Sequence, residues 1–448
     1  MNELKDFAEF VLKVIRGEGV DEADLIIIES KSHHVKIRRG KIEELRFSNP
    51  KGIGLRIIKG KKCGVTFSND FSKEKVKEQI LKMIDMLEYM SEDSYVGLPD
   101  GELIGRSTRE INTYDRLIEV IPTEDKIRMV RELEEEGFKY SPLIKNSEGA
   151  QWSDSVSNIV IGSTKGFVDG YSTTNYSMSL VLVAERNGSR QTDYWYTKSR
   201  FYKNLESIGS VAKKAAERAI RKLGAKKPKT SQVPVVFDPD VATDLIGIVA
   251  TCVLGSRVFM KGSFLADKLG EVIGTDKVQL IDDPLLHAGL GSRPFDDEGV
   301  VSRKNVIVED GVLRSYLCDS YSARKLNHPL TGSAVRSIGS VPSSGITNFY
   351  LEKGDVRKED IIASVENGLY LTHVHWTGVN YVTGDYSRGA EGIWIENGKL
   401  SYPVHEFTVS GNVLDMLQNI KMVGSDLEFR DNISSPTILV DGLIVSGS

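Results

Sequence analysis

From Ser157 to Trp195 the chain is built of Val, Ile, Tyr, Ser and Thr in near-alternation. A period of two sends successive side chains to opposite faces, so one face of such a tract is apolar and the other tolerates water. Only a meander of antiparallel strands with a partly solvated face satisfies that pattern over so long a stretch. Shorter strand signals precede it at Ala23–Glu29, His34–Arg38, Lys41–Phe47, Gly54–Lys59 and Gly64–Phe67, with an Arg39-Gly40 turn among them.

Helical periodicity fills the gaps. Leu4, Phe7, Val11, Leu12 and Ile15 form one stripe, which predicts an amphipathic helix over 3–16; further helices are expected over 72–90, 123–137 and 204–223. The run Lys226-Lys227-Pro228-Lys229 reads as an exposed linker. The Lys and Arg residues between 213 and 229 read as a solvated cationic face. Beyond it, 239–255 reads as an apolar, buried helix. The remainder is β-rich and punctuated by Asp310-Gly311, Asn367-Gly368, Asn397-Gly398 and Asp441-Gly442, read as hairpin turns. The expected fold class is therefore α+β in two domains. An N-terminal antiparallel sheet with helices occupies 1–224, a linker 225–234, and a C-terminal mostly-β, barrel-like domain 235–448.

The chemistry open to this chain is narrow. Only 3 Cys (Cys63, Cys252 and Cys318) and 7 His are available among 448 residues, which limits any soft-metal site or thiol/imidazole catalysis to ten side chains. The cysteines are odd in number, widely spaced and without a C-x-x-C pair, as expected in a reducing compartment. The first ten residues carry Glu3, Lys5, Asp6 and Glu9, and no apolar run approaches bilayer length, so a cytoplasmic location away from membranes is expected. The net charge of -5 argues against a nucleic-acid surface. Phosphate-cradling glycine loops, a G-x-S-x-G elbow and H-E-x-x-H are all absent.

Among the ten, His373 and His375 lie two apart, a spacing that on a strand aims both imidazoles to one face. They are the candidate metal pair, with Cys318, His287 or Glu391 as conceivable third ligands. His33 and His34 point to opposite faces and are poor ligands together. Asp282-Asp283 and Asp296-Asp297-Glu298 could serve acid/base or cation chemistry, but each borders Pro or Gly and reads first as turn-forming.

Several longer strings carry a resemblance: Asp282-Asp283-Pro284; Gly291-Ser292-Arg293-Pro294-Phe295-Asp296-Asp297-Glu298-Gly299; Glu309-Asp310-Gly311-Val312-Leu313 with Tyr316-Leu317; and Ser320-Tyr321-Ser322-Ala323-Arg324-Lys325. Val382-Thr383-Gly384-Asp385-Tyr386-Ser387-Arg388-Gly389-Ala390, Tyr402-Pro403-Val404 and Gly411-Asn412 follow in order, and Gly52-Ile53-Gly54-Leu55-Arg56 stands in the N-terminal half. Together they resemble the TldD/PmbA family over nearly the whole chain. That resemblance implies a cytoplasmic two-subunit zinc metalloprotease acting on small or unfolded peptides, and an older label, modulator of DNA gyrase.

In TldD-type chains H-E-x-x-x-H on a helix and a Cys near the C-terminus hold the zinc. The corresponding window here, Gly247-Ile248-Val249-Ala250-Thr251-Cys252, has neither His nor Glu, and Arg430-Asp431-Asn432-Ile433-Ser434-Ser435-Pro436 has no Cys. The resemblance thus implies a PmbA-type (TldE-type) subunit with no catalytic residue and no metal of its own. Zinc would sit on a TldD-type partner, and Tyr386, Ser387 and Arg388 would belong to a shared peptide cavity. Two alternatives stay open: an independent metallopeptidase using His373 and His375, and a non-enzymatic peptide-binding or regulatory homodimer.

Overall fold

The computed structural model describes residues 1–375 and 378–447; Trp376, Thr377 and Ser448, the last being the end of the expected C-terminal domain, lie outside the described residues. The alternating tract runs from the middle of an antiparallel sheet to one of its edges. The strands of the sheet are β1 (Glu22–Arg38), β2 (Lys41–Ser48), β3 (Lys51–Lys59), β4 (Lys62–Ser68), β5 (Ile144–Ser163), β6 (Phe167–Arg186) and β7 (Ser189–Ser199). Their order is β4-β3-β1-β5-β6-β7, with β2 beside the C-terminal half of β1. The two short strands expected near residues 23 and 38 are one strand of 17 residues. The polar Ser30 to His33 between them stay paired with β5, and the Ser30 and Ser157 hydroxyls meet at 2.8 Å.

Helices α1 (Asn2–Gly17), α2 (Lys73–Leu87), α3 (Thr123–Lys139) and α4 (Ile208–Arg221) cover the apolar faces. Val11, Leu12 and Ile15 of α1 pack with Val76 and Ile80 of α2 on Leu25, Ile27 and Ile57. Val130 of α3 and Ala215 and Ala219 of α4 pack over Val35, Trp152 and Leu180. The cations of α4 depart from the solvated-face reading: Arg218 is buried against Asp193 at 3.4 Å and Asp240 at 3.2 Å, and Lys222 reaches Asp193 at 3.0 Å and Glu391 at 2.7 Å.

The chain then runs through β8 (Ser231–Phe237), α5 (Pro239–Cys252), α6 (Gly255–Phe259), β9 (Leu280–Asp282), β10 (Asn305–Glu309), β11 (Val312–Leu313), α7 (Ser320–Leu326), β12 (Ala334–Val335), β13 (Ser343–Ser344), β14 (Phe349–Leu351) and α8 (Lys358–Ala363). Next come β15 (Asn367–Val374), β16 (Asp385–Glu396), β17 (Lys399–Asn412), α9 (Val413–Gln418), β18 (Ile420–Val423), β19 (Ile433–Ser434) and β20 (Ile438–Ser446). The strands β17-β16-β15-β8-β20 close on themselves through a β17–β20 pairing, which makes the barrel. Its filling is Phe237, Leu369, Leu371, Phe407 and Val409, joined by Leu245, Ile246 and Val249 of α5.

Asp310-Gly311 (φ 49° and 74°) and Asn397-Gly398 (φ 51° and 72°) are two-residue turns with both positions left-handed, as a twisted hairpin needs. The other two expected turns are not turns. Asn367 opens β15, and its side-chain oxygen accepts a hydrogen bond from the Trp394 indole N–H at 2.9 Å. Gly442 (φ 76°) sits at a bulge inside β20, where the register with β8 shifts between Val440 and Leu443.

The halves of the chain meet over buried charge. On β3, Gly54 lies so close to the C-terminal half that a Cβ there would stand 2.1 Å from the Ile338 carbonyl oxygen. Two residues on, Arg56 donates to Asp24 on β1 and to Glu298 at 3.0 Å, while Arg336 reaches Asp24 at 2.6 Å. Phe295 stands edge-on to Phe167 and Tyr171, with ring centroids 5.2 and 5.5 Å away. The Asp296-Asp297-Glu298 string is thereby divided. Asp296 accepts the backbone N–H groups of Glu298, Val300 and Ala334, each at 2.9 Å, as a turn-former does, whereas Glu298 is the C-terminal half's contribution to the ionic junction.

Asp282 is fully buried at the end of β9, accepting from the Thr347 N–H at 2.7 Å and hydroxyl at 2.8 Å, and burial pushes its carboxyl up to about 6 from 3.8. A folded-state value above the unfolded one means that the native state holds a proton the unfolded chain has lost. The resulting stabilisation is complete below pH 3.8 and disappears as pH rises through about 6. Asp282→Asn should remove this dependence, flattening the stability slope over that window by up to ~1.4 kcal/mol per pH unit in urea titrations. An unchanged slope would show that Asp282 is ionised throughout.

Candidate functional site

Helix α5 starts at a cap in which the Asp238 carboxylate accepts the Asp240 N–H at 3.2 Å, with Pro239 in the first turn. One side of the helix enters the barrel core. The opposite stripe, Asp240, Thr243, Asp244, Gly247, Ile248 and Thr251, has the i, i+3, i+4 spacing of a single helical face and forms one wall of a cavity of about 570 Å³. The facing wall is the segment from Glu428 to Ser435. The N-terminal half supplies Tyr194 and Tyr196 of β7 and Arg218 of α4, and β15 and β16 supply His373, Val374 and Arg388. A smaller pocket of about 290 Å³ adjoins it through Arg218, Pro239, Glu428 and Arg430. There the Trp195 ring is flanked by Arg430 at 4.6 Å, Lys214 at 4.8 Å and Arg218 at 5.3 Å.

The carboxylates on this face are bound to guanidinium groups. Arg388 grips Asp244 with two hydrogen bonds, at 3.2 and 2.8 Å. Asp240 receives Arg430 at 3.0 Å and Arg218 at 3.2 Å. Burial raises both carboxyls above their usual range even so, with Asp238 adding to the rise at Asp240. Among the described residues no group of three or more His, Cys, Asp or Glu side chains is placed to hold a metal ion. These residues do not fit a zinc site: the α5 face carries two acids paired with arginine, hydroxyls, a glycine and an isoleucine, Glu428 and Asp431 on the facing wall are paired with Arg430 and Lys198, and His373 is the one imidazole among the described lining residues.

The candidate residues of the sequence divide as follows. Gly247 and Ile248 line the cavity, but Cys252 is turned into the core, its thiol 3.8 Å from the Tyr381 carbonyl oxygen and pushed up to about 11 by burial. His373 and His375 lie with ring centroids 5.1 Å apart. His373 is half-buried in the cavity wall, where burial first and then Lys222 depress its pKa, and His375 is exposed. Of Tyr386, Ser387 and Arg388, only Arg388 reaches the cavity. Tyr386 is buried beneath it, the guanidinium 5.8 Å from the ring centroid, and Ser387 is exposed on the other face of β16. Asp240, Asp244, Tyr194 and Tyr196 escaped the sequence reading, and Arg218 and Arg430 entered it only within a cationic face and a window lacking Cys, not as cavity residues. The helical stripe was visible as spacing, but nothing local pairs Asp240 with Arg430.

Comparison with known proteins places this geometry. The PmbA/TldA metallopeptidase domain 1 matches residues 23–91, the central domain 116–223 and the C-terminal domain 230–447. Metalloprotease PmbA of Escherichia coli O157:H7 is 32% identical over 444 residues, 99% of this chain and 96% of that protein. A crystal structure from Bacteroides thetaiotaomicron, described as a candidate modulator of DNA gyrase, superposes with a TM-score of 0.92 at 28% identity, covering 100% of both chains. TldE from Thermococcus kodakarensis shares the fold, with a TM-score of 0.88 at 22% identity, covering 99% of this chain and 100% of that one.

Proposed function

The chain belongs to the PmbA/TldD metallopeptidase family, and from that premise we propose that it is the metal-free, TldE-type subunit of a two-chain peptidase. In this role it supplies cavity wall and stability, and a TldD-type partner supplies the zinc and the bond-breaking chemistry. One observation carries the proposal. The face of α5 and the 428–435 segment, the two places where a TldD-type chain would carry its ligands, meet across a single cavity here, and their charged groups are spent on ion pairs, Asp244 with Arg388, Asp240 and Glu428 with Arg430, and Asp431 with Lys198.

The cavity suits an extended peptide. Its apolar contacts come from Val241, Ile248, Ile346 and Ile433, and β7, which ends the seven-stranded sheet, brings Tyr194 and Tyr196 to its rim. An extended chain that adds to a sheet edge is held by main-chain hydrogen bonds, which tolerate many sequences, as a protease for small unfolded peptides requires. No helix among the described residues is long and apolar enough to cross a membrane.

The test is direct. The purified chain should hold well under one zinc per molecule and cleave no peptide, and mixing it with a TldD-type chain should produce cleavage that neither gives alone. Stoichiometric zinc together with hydrolysis by the isolated chain would sink the proposal.

A further inference from the structure

The smaller pocket beside the cavity holds a cation with no partner. Lys214, Arg218, Arg221, Lys358 and Arg430 line its roughly 290 Å³. Four of them are answered: Lys214 by Glu206 at 2.8 Å, Arg218 by Asp240 at 3.2 Å, Lys358 by Asp238 at 3.2 Å and Arg430 by Asp240 at 3.0 Å. Arg221, the last residue of α4, makes no hydrogen bond or ion pair among the described residues, and its Nε and Nη2 are buried without an acceptor. The remaining acids of the pocket are engaged elsewhere. Glu217 accepts the Tyr140 hydroxyl at 2.8 Å, Asp426 accepts the Thr437 N–H at 2.9 Å and hydroxyl at 2.7 Å, and Glu428 is bound to Arg430. Burial, and then Arg218 beside it, hold the Arg221 guanidinium below its ordinary pKa, so the position gains from any negative charge brought alongside. A buried donor without an acceptor is also costly, and an incoming acceptor removes that cost.

We propose that this pocket takes the terminal carboxylate of a peptide whose body lies in the larger cavity, with Arg221 as the group that meets it. The inference rests on the peptide-binding role proposed above for that cavity. Three observations select this ligand. Nε and Nη2 form one edge of the guanidinium fork, and that edge matches the two oxygens of a carboxylate. Both atoms lie beneath the pocket surface, so the side chain turns outward to the ligand and exchanges two unmet donors for two charge-assisted bonds. Pocket and cavity share Arg218, Pro239, Glu428 and Arg430 in their walls, so one extended chain can occupy both. The carboxylates already standing in the pocket wall tolerate a compact monoanion better than a phosphate dianion, which they repel more strongly.

Cleavage by the reconstituted two-chain complex tests the assignment. One peptide without Asp or Glu is offered as the free acid, as the C-terminal amide, and as an amide ending in Glu, whose only carboxylate is on a side chain. The free acid should be cleaved with a kcat/KM about tenfold or more above that of the plain amide, the size expected of a charge-assisted pair. Arg221→Gln should lower the free acid to the level of the amide and leave the amide within about twofold of wild type, which a misfolded or unassembled chain would not do. A second readout needs no change at position 221. Trp195 lines the pocket, so acetyl-trialanine should perturb its emission, identified by difference from Trp195→Phe, at concentrations about tenfold lower than acetyl-trialanine amide. Equal cleavage or equal titration of acid and amide by wild type, a preference that survives Arg221→Gln, or an amide ending in Glu that matches the free acid would each overturn the assignment and leave the peptide role of the cavity standing. Absence of partner-dependent cleavage of all three peptides would instead overturn that role, and this inference with it.

Discussion

Arg56→Met should destabilise the protein by about 3–5 kcal/mol, the range for removing one partner from a buried ionic group. Arg56 is 5% exposed and stands between Asp24 at 0% and Glu298 at 1%. Burial alone would raise the Asp24 carboxyl, but Arg336 and Arg56 outweigh it and hold the group below its ordinary value. The methionine fills much of the volume without charge. Asp24 is then left to Arg336 alone, and Glu298 to the Ser320 N–H at 2.8 Å and hydroxyl at 2.5 Å. Because Asp24 lies on β1 and Glu298 in the C-terminal half, the loss falls on the junction as well as on the sheet. Limited proteolysis should accelerate between the halves, and the urea midpoint should fall. Arg56→Lys keeps a charge but not the two-pronged geometry, and should fall between. A loss below ~1 kcal/mol for the methionine variant would mean that the cluster rearranges to solvate itself. Gly54→Ala tests the same junction sterically, since its Cβ has no room beside the Ile338 backbone.

This junction shows what the chain reveals of itself and what it conceals. Period-two and period-3.6 patterns are local, so α1, the β5–β7 meander and the buried character of α5 could be read directly, and closure of the C-terminal strands could be foreseen from their number and turns. Pairing of distant residues has no local signature. Gly54 and Arg56 stand in a recognisable string, yet Ile338 and Glu298 explain them only once β3 is laid against the C-terminal half. The turn dipeptides show the same limit. Asn397-Gly398 is a hairpin because strands flank it on both sides, and Asp441-Gly442, with similar chemistry, is a bulge because β20 continues past it to pair with β17. At the candidate site the residue types missing from the window were visible in the sequence, whereas the arginines occupying its acids come from positions 218, 388 and 430 and could be assigned only in three dimensions.

Gly247→Trp should abolish partner-dependent peptide cleavage, by about a hundredfold or more, while leaving the fold intact. Gly247 lies at the middle of the α5 stripe and opens on the cavity; a Cβ there would stand 3.2 Å from the Ile433 Cδ1 on the facing wall. An indole at that point projects across the gap between α5 and the 428–435 segment and takes the space in which an extended peptide would lie. Displacing it into the core is blocked by Leu245, Ile246 and Val249, all fully buried. Thr251→Trp, one turn further along the same face, makes an independent block, so agreement between the two excludes a local folding defect. Gly247→Ala is the control. Within a helix it gains up to ~1 kcal/mol of propensity against a small adjustment of the Ile433 side chain, and its activity with the partner should stay within about twofold of wild type. Measured in the reconstituted complex, full cleavage by both tryptophan variants would place the peptide elsewhere and reduce this cavity to a structural remnant. Loss in both, with zinc still bound by the partner and the two chains still associated, would show that a subunit without ligands takes part in peptide binding through its shape.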